Sequence, residues 1–222
     1  NELFPEFPKN VRFEKTEQAG FSIDYKDGES IIRYGRKCDL FRAAALLNGK
    51  LQSGACTVSV SETPKFDTLG VMIDVSRGAV LKVETVKDVM RTIAKMGYNR
   101  MMLYTDDTFL VDTYPYFGYM RGAYTEEELK EIVSYGEKLG IECVPCIETL
   151  SHMEHILRWA GFGKVKNSQR TLLVGAEETY ALIEEMIKVC RRCFKTDVIN
   201  VGMDEADDLA DRDADDVLED RN

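Results

Sequence analysis

From Thr68 onward the chain alternates short apolar runs with amphipathic stretches, and this alternation limits the folds open to it. Leu69-Gly70-Val71-Met72-Ile73, Arg100-Met101-Met102-Leu103-Tyr104, Ile141–Ile147 and Val198–Val201 are apolar almost throughout. Such runs read as strands buried on both faces, as in parallel sheets. Between them the apolar residues recur every three or four positions. Val86, Val89, Met90, Ile93 and Ala94 would share one face of a helix over residues 85–96. Leu129, Ile132, Val133 and Leu139 would do the same after Thr125-Glu126-Glu127-Glu128, a capping box in which each end satisfies the other's free amide. A third helix reads from Glu177 to Phe194, with Tyr180, Ile183, Met186, Ile187, Cys190 and Phe194 inward. Strands alternating with helices in this way predict the α/β class with a parallel sheet.

Residues 1–66 read differently, as a small α+β domain ahead of a β/α domain over 67–222. Val11 to Phe13 suits a short strand. Phe21-Ser22-Ile23-Asp24-Tyr25 and Ser30-Ile31-Ile32-Arg33-Tyr34 flank Lys26-Asp27-Gly28-Glu29, and Asp-Gly is a tight hairpin signal. Leu40, Phe41, Ala44, Ala45 and Leu47 predict a helix from Lys37 to Asn48, with Gly49 capping it. Ala55–Ser61 returns as a strand, and Glu62-Thr63-Pro64-Lys65 reads as a linker.

Chemistry gathers at the strand ends. The runs finish in Asp74-Val75-Ser76-Arg77, Thr105-Asp106-Asp107, Glu148-Thr149-Leu150-Ser151-His152 and Asp204-Glu205. In an α/β barrel that edge carries the catalytic residues. Asp204 and Glu205 adjoin each other past a β-branched run and Gly202. At a fraying strand end both can reach one cleft, where joint desolvation would hold one proton more tightly, as a general acid near neutral pH requires. The opposing reading is an acidic loop in an acidic protein.

A net charge of −10 with no basic cluster argues against nucleic acid or anionic membrane as partners. No apolar run is long enough to span a bilayer. Among the cysteines, Cys143 and Cys146 fall in a strand pattern and Cys190 and Cys193 in a helical one, so buried thiols fit better than a zinc site built on turns. Reduced thiols favour a cytoplasmic setting. The first residue is Asn1, not Met, which leaves a removed signal peptide and a secreted protein open. His152 and His155 could share a helical face; hydrogen bonding is favoured over metal binding. Trp159 suits either the core or stacking on a sugar.

Together these segments resemble the family 20 glycoside hydrolases, the β-N-acetylhexosaminidases. Leu69–Arg77 is similar to that family's first barrel strand, whose arginine binds sugar hydroxyls. Met96-Gly97-Tyr98-Asn99-Arg100 through Asp107 is similar to its second-strand segment, and Val144-Pro145 through His152 to its third-strand motif. Val201-Gly202-Met203-Asp204-Glu205 resembles its Gly-Gly-Asp-Glu signature, with Met203 at the second glycine. Cys146 and Glu148 stand where the family often has Glu and Asp, and Leu150-Ser151 replaces Pro-Gly.

The resemblance implies a (β/α)8 TIM-type barrel, here truncated to about its first four β/α units, because a complete barrel takes about 250 residues. It implies hydrolysis of terminal β-linked N-acetylglucosamine or N-acetylgalactosamine from amino-sugar glycans by substrate-assisted retaining catalysis, without a metal or organic cofactor. Glu205 and Asp204 would be catalytic; Arg77, Asp107 and His152 would bind substrate. The chain alone is expected to be inactive and to self-associate through its open barrel edge. Two rivals stand beside this: a non-catalytic carbohydrate-binding or scaffold protein, and a metal-dependent α/β hydrolase using Asp74, Asp106, His152 and Asp204.

Overall fold

The computed structural model describes residues 3, 4, 7, 8 and 10–209. The acidic ending of the chain, whose charge suggests a tail or a short solvated helix from sequence, lies beyond Leu209 and outside the described residues. Among the described residues, seven strands and five α-helices follow in the order β1 (Val11–Lys15), β2 (Phe21–Lys26), β3 (Glu29–Tyr34), α1 (Lys37–Gln52), β4 (Thr57–Glu62), β5 (Gly70–Asp74), α2 (Val83–Lys95), β6 (Arg100–Tyr104), α3 (Glu126–Leu139), β7 (Glu142–Cys146), α4 (Glu154–Leu157) and α5 (Glu177–Cys193). The first four strands form one sheet in the order β1-β3-β2-β4, and the last three another in the order β5-β6-β7.

Two compact units emerge. Among the described residues, the first comprises those within 1–71, 84–101 and 134–142, and the second those within 72–83, 102–133 and from 143 onward. In the first unit β2 and β3 form a hairpin whose turn residues, Asp27 and Gly28, both have positive φ, 52° and 86°. That geometry matches the right-handed twist of the flanking strands. Ile23 faces Ile32 across β3 and Val60 across β4. These side chains meet Ala43 and Leu47 of α1 in a buried cluster. The helix runs past Gly49 to Gln52, and Gly54, at φ 87°, follows its end. Gly49 is therefore a helical residue and not the expected cap.

In the second unit the strand ends are tied side by side. Val75 N–H donates to Tyr104 O at 2.9 Å, Thr105 N–H to Cys146 O at 3.0 Å, and Ile147 N–H to Asn200 O at 2.9 Å. At the start of β6, within the first unit, Asn99 and Arg100 N–H donate to Leu69 O and Glu142 N–H donates to Asn99 O, the pattern of parallel neighbours. The expected fourth strand is reduced to a single parallel bridge, Cys146 with Asn200. Its course is still strand-like: Asn200 N–H donates to Pro145 O and Thr149 N–H to Gly202 O, both at 3.0 Å. Gly202, at φ 48°, then turns the chain out of line.

The capping box forms as read, with Thr125 N–H on Glu128 Oε2 at 2.9 Å and Glu128 N–H on Thr125 Oγ1 at 3.2 Å. The inward face of α5 is rotated in part from the expected one, with Met186, Cys190 and Phe194 buried as read. Leu182, Met186, Val189, Cys190 and Cys193 are buried, whereas Tyr180 is 55% exposed. This helix has apolar residues on most of its circumference, and two stripes fit the same spacing.

Candidate functional site

The turn after β5 is set by Asp74, whose Oδ1 accepts from Ser76 N–H at 2.9 Å, Ser76 O–H at 2.8 Å and Arg77 N–H at 3.1 Å. A carboxylate that closes its own turn in this way fixes the residues after it. Arg77 is thereby aimed at the end of β6. Its Nη2 donates to the Tyr104 hydroxyl at 2.7 Å, and its guanidinium carbon lies 4.6 Å from the Tyr104 ring centre. Burial drives the Tyr104 phenol far above its ordinary value, with the negative charges of Asp106 and Glu148 adding to the effect. Tyr104 therefore remains an O–H donor.

Glu148, two residues past β7, is fully buried, and neither carboxylate oxygen finds a well-formed hydrogen bond among the described residues. Burial pushes its pKa up to about 7; the Tyr104 hydroxyl draws it down, and the charges of Asp204 and Asp106 push it further up. Gly202 makes the space. A Cβ at that position would lie 2.5 Å from both the Glu148 Cδ and the Ile147 carbonyl oxygen.

Asp204 and Glu205 follow, with side chains 66% and 69% exposed. The desolvation expected of this pair falls instead on Glu148, because the turn at Gly202 carries the pair out of the sheet edge toward solvent. The chain beyond them is anchored. Arg170 Nη2 donates to Glu205 O at 2.7 Å, Ser151 O–H to the same oxygen at 3.3 Å, and Ser168 and Thr171 donate to the Asp208 carboxylate.

His152 Nε2 lies 3.3 Å from Glu205 Oε2 and 3.8 Å from Asp204 Oδ2. Its direction does not align it as a hydrogen bond to either. His152 has φ 58° and sits before α4, so it does not share a helical face with His155, which lies within α4. Asp106, His152 and Glu205, with φ of 43°, 58° and 52°, are among the few described non-glycine residues in the left-handed region. Strain of this kind costs on the order of 1–3 kcal/mol per residue and concentrates where function fixes the backbone.

Asp107 is placed differently. It is buried, with Oδ1 accepting from Arg121 Nε at 3.0 Å, while Arg121 Nη2 donates to Ser76 O at 2.7 Å. The structure thus brings Asp204, Glu205 and His152 together, sets Arg77 and Tyr104 near Glu148, and ties Asp107 to the Arg77 turn through Arg121. Donor atoms of His152, Asp204 and Glu205 lie within 4.8 Å of one another and could hold a divalent cation. The four-residue set of the metal-hydrolase reading is not gathered as a ligand group among the described residues. Asp74 closes its turn, and Asp106 is buried.

Sequence reading did not single out Tyr104, Arg121 or Arg170. Tyr104 ends an apolar run and could have been noticed as its one hydroxyl. Arg121 and Arg170 lie in long loops with no local pattern to mark them. Cys146 and Cys190 are buried, and burial pushes both thiols up to about 12.

The family model for glycosyl hydrolase family 20, catalytic domain, matches residues 66–217. Hexosaminidase D of Bos taurus is 29% identical over 119 residues, which is 50% of this chain and 33% of that protein. Beta-hexosaminidase 3 of Arabidopsis thaliana is 27% identical over 159 residues, 66% of this chain and 29% of that protein. The chain spans about a third of the length of these curated relatives. Among solved structures, the beta-N-acetylhexosaminidase from Bacteroides fragilis superposes with a TM-score of 0.79 at 20% identity, covering 96% of this chain and 48% of that one. The GH20 beta-N-acetylhexosaminidase from Streptomyces coelicolor gives 0.77 at 22% identity, covering 90% and 48%. These likenesses show a shared α/β fold.

Proposed function

The chain belongs to glycosyl hydrolase family 20, and we propose that the complete protein closes a (β/α)8 barrel and acts as a retaining exo-β-N-acetylhexosaminidase. The observation that carries this reading is the placement of Asp204 and Glu205 side by side beyond β7, with His152 Nε2 at 3.3 Å from Glu205. Ordinary retaining glycosidases hold two carboxyls about 5–5.5 Å apart across the scissile bond. Consecutive residues on one turn are poorly placed to flank an anomeric carbon from opposite faces. One of them must do something other than attack carbon.

In the proposed mechanism the substrate's own acetamido oxygen attacks the anomeric carbon, an exception to the two-carboxylate scheme. Glu205 protonates the departing glycosidic oxygen and then deprotonates the attacking water. Asp204 accepts the acetamido N–H and offsets the positive charge of the cyclic intermediate. Arg77, pre-oriented by Asp74 and Tyr104, binds ring hydroxyls. His152 lies beside the Glu205 carboxylate, and Asp107 with Arg121 braces the Arg77 turn through the Ser76 carbonyl.

Leaving-group dependence tests the role of Glu205. Glu205→Gln removes the proton donor and keeps the shape, and general acid catalysis is typically worth about 10²–10⁴-fold. The loss should be large for a sugar leaving group and much smaller for an activated aryl one. Equal losses on both would remove Glu205 from the acid role. The described chain by itself is expected to turn over neither substrate appreciably, because Asp204 and Glu205 are open to water.

A further inference from the structure

Two buried acids behind Arg77, Glu148 and Asp106, have no part in the chemistry above. Both oxygens of Glu148 and Oδ1 of Asp106 lack a well-formed hydrogen bond among the described residues. A buried carboxyl without partners is costly, and native chains retain few of them. Packing does not force Glu148 into this place. The chain gives up a side chain at 202 to admit it, since a Cβ there would collide with its carboxyl group. Buried acids kept in this way at a strand edge point to use more than to stability.

Both acids face the hydroxyl of Tyr104, the buried last residue of β6. Burial drives the two carboxyl groups up, and the Tyr104 hydroxyl draws each of them down; Ser76 also draws Asp106 down. On its other side the same hydroxyl oxygen accepts from Arg77 Nη2 at 2.7 Å, with the guanidinium over the Tyr104 ring. An oxygen that accepts from Arg77 must send its own proton elsewhere. Glu148 is the better acceptor, because neither of its oxygens has another partner, whereas Asp106 is also met by Ser76. With its pKa pushed up to about 7, Glu148 is mostly neutral below that pH. A neutral carboxyl group can take the Tyr104 proton without a full charge that would draw the guanidinium inward. Arg77 itself remains half-exposed, with Asp74 Oδ2 3.5 Å from its Nη1.

We propose that Tyr104 and Glu148 are positioning residues for Arg77: Glu148 accepts the Tyr104 proton, and the hydroxyl so turned holds Arg77 in the pose that receives the ring hydroxyls of the terminal sugar. This rests on the hexosaminidase reading above. The order of the link is Glu148, Tyr104, Arg77, sugar. A link behind a contact made equally in the ground state and the transition state shows in KM and leaves kcat nearly unchanged.

Steady-state kinetics of the complete protein on an aryl N-acetyl-β-glucosaminide test the link, at about pH 6, where Glu148 is mostly neutral. Tyr104→Phe keeps the ring under Arg77 and removes the hydroxyl. KM should rise about fivefold, the scale of one hydrogen bond, with kcat changed less than about twofold. Glu148→Leu fills the site but cannot accept a proton, and should raise KM likewise; Glu148→Gln, which can accept, should recover most of that rise. Joined in one chain, Tyr104→Phe and Glu148→Leu should raise KM no more than either alone, because both cut the same link. In an Arg77→Ala background neither should raise KM further. If Glu148→Leu does not fold, Tyr104→Phe with and without Arg77 decides alone. An unchanged KM, multiplicative effects, or an effect that survives without Arg77 would overturn the proposal. Calorimetric titration of the same variants with N-acetylglucosamine should place their Kd values in the same order. A complete protein that binds this sugar without turning over the glycoside would sink the catalytic reading and leave that order to decide the link. A protein that does not bind the sugar would overturn both.

Discussion

The Glu148 carboxylate occupies the space that a Cβ on Gly202 would need. The two residues approach so closely that an added methyl at 202 would sit 2.5 Å from Glu148 Cδ. Gly202 also has φ 48°. Gly202→Ala should therefore be destabilising twice over, by about 1–2 kcal/mol for the left-handed backbone and more for the displaced carboxylate. Urea unfolding should show a lower midpoint. Glu148→Asp, which shortens the side chain, should recover part of the loss but not all, because the Ile147 carbonyl remains in the way. A Gly202→Ala variant with unchanged stability would mean that the turn relaxes freely.

The pH dependence of stability should carry the mark of Glu148. Its pKa is pushed up to about 7 in the folded state, from an ordinary value of 4.5. Between those values the folded chain holds a proton that the unfolded chain has released. Stability should thus be unaffected by Glu148 below about pH 4.5 and fall as pH rises to 7, by roughly 3 kcal/mol at most. Glu148→Gln should flatten this slope and raise the urea midpoint at pH 8. An unaltered slope in the variant would assign it to other groups.

Arg121, its side chain only 17% exposed, should matter strongly to Asp107. Asp107 is 2% exposed, and its ion pair with Arg121 spans 3.0 Å. Removing one partner of a buried pair costs about 3–5 kcal/mol, because the other charge is stranded. Arg121→Met should be strongly destabilising by chemical denaturation, and Asp107→Asn in the same chain should relieve much of that loss. Additive losses would show that the two side chains are not coupled.

Self-association is the expected behaviour of the 222-residue chain. Val198, Val201 and Met203 are 41%, 37% and 62% exposed along the segment beside β7. On α5, exposed Tyr180 adjoins the half-buried Ile183 and Ile187. Exposed apolar edges of this kind invite pairing. Sedimentation velocity should show a weight-average mass that rises with concentration, and an invariant monomer would contradict this.

Much of the fold was legible because its signals are local. The Asp27-Gly28 hairpin, the Thr125–Glu128 capping box and the faces of α2 and α3 each depend on residues a few positions apart. The face of α5 was legible in part: Met186, Cys190 and Phe194 are buried as read, but Tyr180, Ile183 and Ile187 give way to Leu182 and Val189, which recur at helical spacing too. Only packing chooses between them. At the site, Asp204, Glu205, Arg77 and His152 could be named from their places at strand ends. The exposure of the two acids and the burial of Glu148 could not, since both follow from the turn at Gly202. Arg121 and Arg170 act across 14 and 35 residues of chain, beyond any local pattern.

Under the proposed mechanism Asp204 serves the substrate's acetamido group and is not itself a nucleophile. The most direct measurement compares hydrolysis by the complete protein of an aryl 2-acetamido-2-deoxy-β-glucoside and the matching 2-hydroxy β-glucoside, followed by mass spectrometry of the quenched enzyme. Turnover of the first, no appreciable turnover of the second and no glycosyl adduct are expected. Efficient cleavage of the plain β-glucoside, or a glycosyl ester trapped on Asp204 or Glu205, would contradict it.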